Sequence, residues 1–303
     1  MPYSADISRV NPSCFLFLID QSGSMCDVLD PTNIQSMNEP VVVDGRTYTH
    51  TASGRTKAQG VADAINRLLQ NIAIKCTKSD GVRDYFHVGV IGYGGDNTDN
   101  RVESAFSGEL IGREVVPIRE IANSPARIER RTKREHDGAG GLVNQTAKFP
   151  VWIDPVADGG TPMCRALTTA KTILANWIDR HISSFPPIVI NITDGEATDG
   201  DPRFAAESLK SLATNDGRIL LFNIHISCSA GTPIEFPDNE STLPDQFAKQ
   251  LFQLSSLLPP YMQSVARQQG SPVSDASRCF AFNADMVSVI RFLELGTTPS
   301  NLR

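Results

Sequence analysis

Five residues in three separate stretches could together hold a metal cation. Asp20-Gln-Ser22-Gly-Ser24 places three oxygen-bearing side chains within five consecutive positions, and Gly23 permits a tight turn. Asp194, followed by Gly195, offers a second carboxylate beside a flexible residue, and Thr161 lies in Asp158-Gly-Gly-Thr-Pro162. Hard cations such as Mg2+ take carboxylate, hydroxyl and water oxygens at about 2.0–2.1 Å in octahedral geometry, whereas softer metals want histidine or cysteine. Taken singly, such residues also serve as turn formers or helix caps that bind nothing. The elements around them decide between the two.

Apolar runs at 14–19, 86–91, 188–192 and 219–226 are rich in β-branched and aromatic residues and predict strands buried on both faces, as in a parallel sheet. Between them, Met163, Ala166, Leu167, Ala170, Ile173, Leu174, Trp177 and Ile178 recur with helical period, as do Val61, Ile65, Leu68, Leu69 and Ile72. Shorter helices are expected near 204–213, 245–254 and 284–293. The alternation predicts an α/β fold, a doubly wound, mostly parallel sheet flanked by helices, whose ligands sit beyond the carboxyl ends of the strands. Asp20 and Asp194 each follow such a strand, and Pro162 suits a first helical turn, which puts Thr161 near a helix N-terminus. One domain across 1–303 is expected, with large loop insertions at 26–55 and 95–158 and a helical extension over 255–303. The first insertion predicts a hairpin around Asp44-Gly45, and the second an edge strand near 101–106 or 149–153.

In this order and on these elements, D-x-S-x-S, Gly-Gly-Thr-Pro and Thr-Asp-Gly give a sequence that resembles the von Willebrand factor A-type domain with its metal-ion-dependent adhesion site. The resemblance covers the framework from residue 14 to 254, and it is to the intracellular bacterial type. It implies direct ligation of Mg2+, with Mn2+ or Ca2+ as alternatives, by Ser22 and Ser24. Thr161 would ligate directly or through water, and Asp20 and Asp194 likewise. One coordination position would stay open for an Asp or Glu carboxylate from a protein partner. It also implies partners among AAA+ ATPases or kinase and phosphatase systems, in bacterial stress-response or conflict pathways. The long insertions depart from the family pattern and could cover the site or form a second binding surface.

Other features narrow the function classes. A formal net charge of -6 gives no general electrostatic reason to bind nucleic acid or an anionic membrane. The opening residues are polar and the run 14–19 is far too short to span a bilayer, so a cytoplasmic protein is expected. Cys14, Cys26, Cys76, Cys164, Cys228 and Cys279 are scattered without metal-site spacing and are expected as reduced core thiols. The basic run 127–134 is expected as a solvated or partner-facing loop, Glu196 and Asp199 as a solvated acidic loop, and His87 and His225 as satisfied core residues. The sequon at Asn191 falls in an expected buried strand. Gly92-Tyr-Gly-Gly95 lacks the lysine of a phosphate loop and marks a turn. No nucleophile elbow is present, which favours a binding module over an enzyme. The alternatives are a metal-dependent hydrolase acting on phosphate esters, and a scaffold working through its insertions.

Overall fold

The computed structural model describes residues 3–28, 54–95, 101–136, 142–226 and 233–283, together with the paired strands Val41–Val43 and Arg46–Tyr48. The first half runs β1 (Ser13–Gln21), α1 (Lys57–Lys75), β2 (Phe86–Gly94), β3 (Val102–Ser104), β4 (Val116–Pro117), α2 (Ile118–Asn123), β5 (Arg127–His136) and β6 (Leu142–Val151). The second half runs α3 (Met163–Arg180), β7 (Ile188–Thr193), α4 (Arg203–Lys210), β8 (Leu220–His225), β9 (Ile234–Glu235), α5 (Gln246–Leu254), α6 (Pro260–Gln268) and β10 (Phe280–Phe282).

Eight of these strands form one sheet in the order β9-β10-β8-β7-β1-β2-β3, with β4 also paired to β2. The five central strands, β10, β8, β7, β1 and β2, are parallel, and the short strands β3, β4 and β9 are antiparallel. This is the doubly wound α/β fold expected from the alternation of apolar runs and helical periods. The side chains of β1 show why both faces are buried. Phe15, Phe17 and Ile19 join a core with α1, α2 and α6, while Cys14, Leu16 and Leu18 join a core with α3, α4 and α5. Helix α1 begins at a capping box in which Thr56 and Gln59 bond each other's backbone, so the sequence Thr-x-x-Gln fixes its start.

The middle of the sheet also carries a buried polar ladder. The Tyr93 hydroxyl donates to Asn191 Oδ1 at 2.8 Å, Asn191 Nδ2 donates to Asn223 Oδ1 at 2.9 Å, and Asn223 Nδ2 donates to Ser255 Oγ at 2.9 Å. Each member satisfies the next, so the polar atoms remain compatible with a dry interior. Asn191 is fully buried, which leaves its sequon no room for a glycan.

Several expectations need correcting. The basic run 127–134 is not a loop but lies in strand β5, paired antiparallel with β6. Its charge hid its period, because Arg127, Glu129 and Arg131 face α1, where Arg131 bonds Asp63 and covers the Phe149 ring. The stretch 95–158 supplies β3 at the expected edge position and also core residues Phe106, Val116, Ile118, Trp152 and Ile153. Buried Asn66 of α1 binds it, accepting from the Trp152 and Ile153 amides and donating to the Ile153 carbonyl. Cys14, Cys76 and Cys279 are buried, with burial pushing their thiols up, but Cys26 is exposed and Cys164 half-buried. The Nδ1 of His225 is buried and finds no hydrogen-bond partner among the described residues, which departs from the satisfied core histidine expected. The hairpin strands around Asp44-Gly45 are paired as expected, while the expected helix over 284–293 and Cys228 lie outside the described residues. Helix α6 falls within the helical extension expected over 255–303, while strand β10, in the same stretch, was not anticipated.

His87 is satisfied as expected but half-buried rather than in the core, with its Nδ1 accepting from Trp177 Nε1 at 3.0 Å and its ring against His181. Burial, helped by His181 and Arg180 and opposed by Asp84, pushes its pKa down to about 4. The unfolded chain binds that proton at about pH 6.5. The stability contributed by a neutral His87 is therefore lost as pH drops from about 6.5 toward 4, because only the unfolded state takes up its proton there. His87→Gln, measured by thermal melts across that range, should lose less stability than the parent between about pH 6.5 and 4. An unchanged slope would remove His87 as its cause.

Candidate functional site

The strand order puts the topological switch point between β1 and β7. Chain connections leave these two neighbours in opposite directions, and the crevice between their carboxyl ends is where ligands bind in open α/β sheets. Ile19 pairs with Ile192, so Asp20, Thr193 and Asp194 emerge side by side at that crevice.

Four of the five expected residues are joined there by hydrogen bonds. Asp20 is fully buried; its Oδ1 accepts from the Ser22 amide at 2.9 Å and its Oδ2 from the Thr193 hydroxyl at 2.6 Å. Burial pushes its carboxyl up to about 6, against the lowering effect of the bonds from Ser22 and Thr193. The Ser22 and Ser24 hydroxyls lie 3.1 Å apart, and Ser24 donates to Asp194 Oδ1 at 2.7 Å. A carboxylate only accepts, so Ser24 spends its one proton on Asp194 and the Ser22 hydroxyl is the donor to Ser24. Adjacent ligands of an octahedral cation with arms of about 2.1 Å stand about 3.0 Å apart, close to the spacing of this serine pair.

Thr161 is buried and reaches the site through its loop. The Gly159 carbonyl accepts from Gly23 at 3.0 Å, and the Asp158 amide donates to the Gln21 carbonyl at 2.7 Å. Thr161 and Thr198 exchange two bonds, with the Thr161 amide donating to Thr198 Oγ1 and the Thr198 amide to the Thr161 carbonyl, both at 2.9 Å. Pro162 occupies the cap position of α3, one residue earlier than expected, and has no side-chain cap to offer. Asp199 supplies one from outside, accepting from the Cys164 and Arg165 amides at 3.0 and 2.9 Å. Asp199 stays exposed, as expected of a solvated acidic loop, and in addition caps the helix.

Gly94 does more than mark a turn. Its φ of +107° favours glycine, and a Cβ there would come within 2.8 Å of the Gly160 carbonyl and 2.9 Å of the Ser22 amide. Both loops of the site thus close against the end of β2.

Two residues escaped the reading of the sequence. Thr193 could have been found, since it precedes Asp194 and ends a strand beside Asp20. Lys57 gave no signal, being 33 residues from Ser24 and followed by an ordinary helix; its Nζ lies 2.7 Å from Asp194 Oδ2 and 3.1 Å from Asp27 Oδ2.

Among the described residues there is no group of three or more His, Cys, Asp or Glu side chains able to hold a metal. The donor set at the switch point is of another kind, three hydroxyls with two carboxylates, and its chemistry fits a hard cation rather than a soft one. A scan against protein-family models and a search of curated proteins each give no match to this chain. Nor, among the described residues, is any helix long and apolar enough to cross a membrane.

The Thr193–Asp20 bond is buried and joins the two strands that frame the crevice. Thr193→Val keeps the shape but removes the donor, leaving a buried carboxylate oxygen short of one partner at a cost of about 1–3 kcal/mol. Denaturant unfolding of the variant should show a loss of that order. A midpoint equal to that of the parent would show that this bond does not hold Asp20.

Proposed function

We propose that the chain is a metal-dependent protein-binding module of the von Willebrand factor A type. A divalent cation, Mg2+ with Mn2+ or Ca2+ as alternatives, would be held by Ser22, Ser24 and Thr161, with Asp20 and Asp194 acting directly or through water. The observation that carries this reading is the serine pair, spaced as neighbouring ligands at the switch point and backed by carboxylates from two adjacent strand ends. The motif order in the sequence supports it independently.

The protein's own groups divide the work. Asp20, tied to Ser22 and Thr193, orients the turn that presents the serines. Asp194 accepts the hydrogen bond of the Ser24 hydroxyl and so directs that oxygen's lone pairs away from itself. Gly94 and the Gly159–Gly160 backbone bring the threonine loop against the serine turn. When bound, the cation would supply a Lewis-acidic position open to an Asp or Glu carboxylate of a protein partner. The partner classes that the resemblance implies are AAA+ ATPases and kinase or phosphatase systems of the bacterial cytoplasm. Binding, rather than turnover, is the proposed activity.

Calorimetric titration with Mg2+ tests this. The parent should bind one cation per chain and melt at higher temperature with it. Ser24→Ala should weaken that binding at least tenfold, and EDTA should release a partner captured in Mg2+. The absence of any heat or melting shift with Mg2+, Mn2+ and Ca2+ would overturn the reading. Metal-dependent hydrolysis of a phosphate ester that is lost in Asp20→Ala would replace it with the hydrolase.

A further inference from the structure

Lysine is rarely buried, and when it is, its charge must be met. The Lys57 side chain is only 7% exposed, and that of Asp194 beside it 1%. The Lys57 ammonium carries three protons and faces three oxygens, Asp194 Oδ2 at 2.7 Å, Asp27 Oδ2 at 3.1 Å and the Ser24 carbonyl at 3.4 Å. Its backbone amide also donates to the Asp27 carbonyl at 2.9 Å. Lys57 is therefore fixed at both ends onto the turn that carries the serines, at the first residue of α1. On the other side, Asp194 Oδ1 is taken by Ser24. Both oxygens of Asp194 are committed within the chain, one to a hydroxyl and one to a cation the protein supplies itself.

We propose that Lys57 is a positioning residue that acts as the resident counter-cation of the site. By neutralising Asp194 and holding it back from direct ligation, it sets both the strength and the selectivity of divalent-cation binding. This rests on the metal reading above. Three carboxylates, Asp20, Asp27 and Asp194, one ammonium and one divalent cation balance to zero. Asp27 is mostly exposed and screened, so Asp194 is the carboxylate that matters most.

The sign of the consequence separates this role from mere bracing. A lysine that only braced the turn would, on removal, loosen the site and weaken cation binding. A resident counter-cation would, on removal, leave Asp194 uncompensated and free to ligate, so divalent cations would bind more tightly. Selectivity should move as well. Ca2+ accepts more oxygens and bidentate carboxylates, while Mg2+ keeps to six ligands and retains water, so a freed Asp194 favours Ca2+. The same added negative ligand would leave the cation less attractive to a partner's carboxylate. Lys57 would thus trade metal affinity for an electrophilic, Mg2+-preferring site.

The experiment compares the parent, Lys57→Met and Lys57→Arg by calorimetry with MgCl2 and with CaCl2, and by thermal melts in EDTA. Lys57→Met should bind Ca2+ at least tenfold more tightly than the parent, with a smaller gain for Mg2+, and should melt several degrees lower in EDTA. Lys57→Arg should stay near the parent in its ratio of Ca2+ to Mg2+ affinity. If Lys57→Met is too unstable in EDTA to titrate, adding Asp27→Asn removes one carboxylate left uncompensated, and the same Ca2+ preference is expected. A parent that binds cations while either methionine variant binds them equally or more weakly, with the Ca2+ to Mg2+ ratio unmoved, overturns the role of Lys57 alone. A parent that binds no divalent cation overturns the metal reading and this inference with it.

Discussion

The parallel pairing of β1 with β7 is the constraint on which the site depends. Ile19 against Ile192 sets the register, and the next residues up, Asp20 and Thr193, are locked by a 2.6 Å bond. A slip of one residue would turn every side chain of β1 to the other face of the sheet and would send Asp20 away from Thr193. The register is safe because both faces of β1 are buried, with three apolar residues committed to each core. Packing far below the crevice therefore decides the geometry at its rim.

Charge is the second constraint. Asp20, Asp194 and Lys57 are all removed from water within one small region, and each such group is costly to bury without a partner. The structure meets this with short hydrogen bonds rather than with exposure. Asp20 is held by an amide and a hydroxyl, Asp194 by a hydroxyl and an ammonium, and Lys57 by a carboxylate at its most buried contact. What remains facing outward is the hydroxyl of Ser24, with the buried Ser22 hydroxyl 3.1 Å from it. Hydroxyls set over buried carboxylates make a donor set chemically different from a carboxylate cage.

The loops add precision that no single residue could supply. Backbone bonds from 158–159 to Gln21 and Gly23 lay the threonine loop on the serine turn, and Gly94 leaves room for both. Asp199 covers the first amides of α3, which gives the helix the cap that Pro162 cannot provide. The segment beyond β2 is likewise woven in, through Asn66 and the antiparallel edge strands.

The sequence by itself determined the class of fold, because apolar runs such as Ile188-Val-Ile-Asn-Ile-Thr and the helical period from Met163 to Ile178 are local properties. It also named Asp20, Ser22, Ser24, Thr161 and Asp194, since strand ends and Gly-containing turns can be read from neighbours in the chain. It hid the β5 strand, where Arg127, Glu129 and Arg131 face α1 in place of an apolar alternation, and it hid β10. Only the tertiary structure decided the strand order that makes β1 and β7 neighbours. It alone brought Lys57 to Asp194, 137 positions away, and Asp199 to the start of α3. The reason is physical: a lone lysine or aspartate has no periodicity, and its role exists only once folding sets an opposite charge or an open amide beside it.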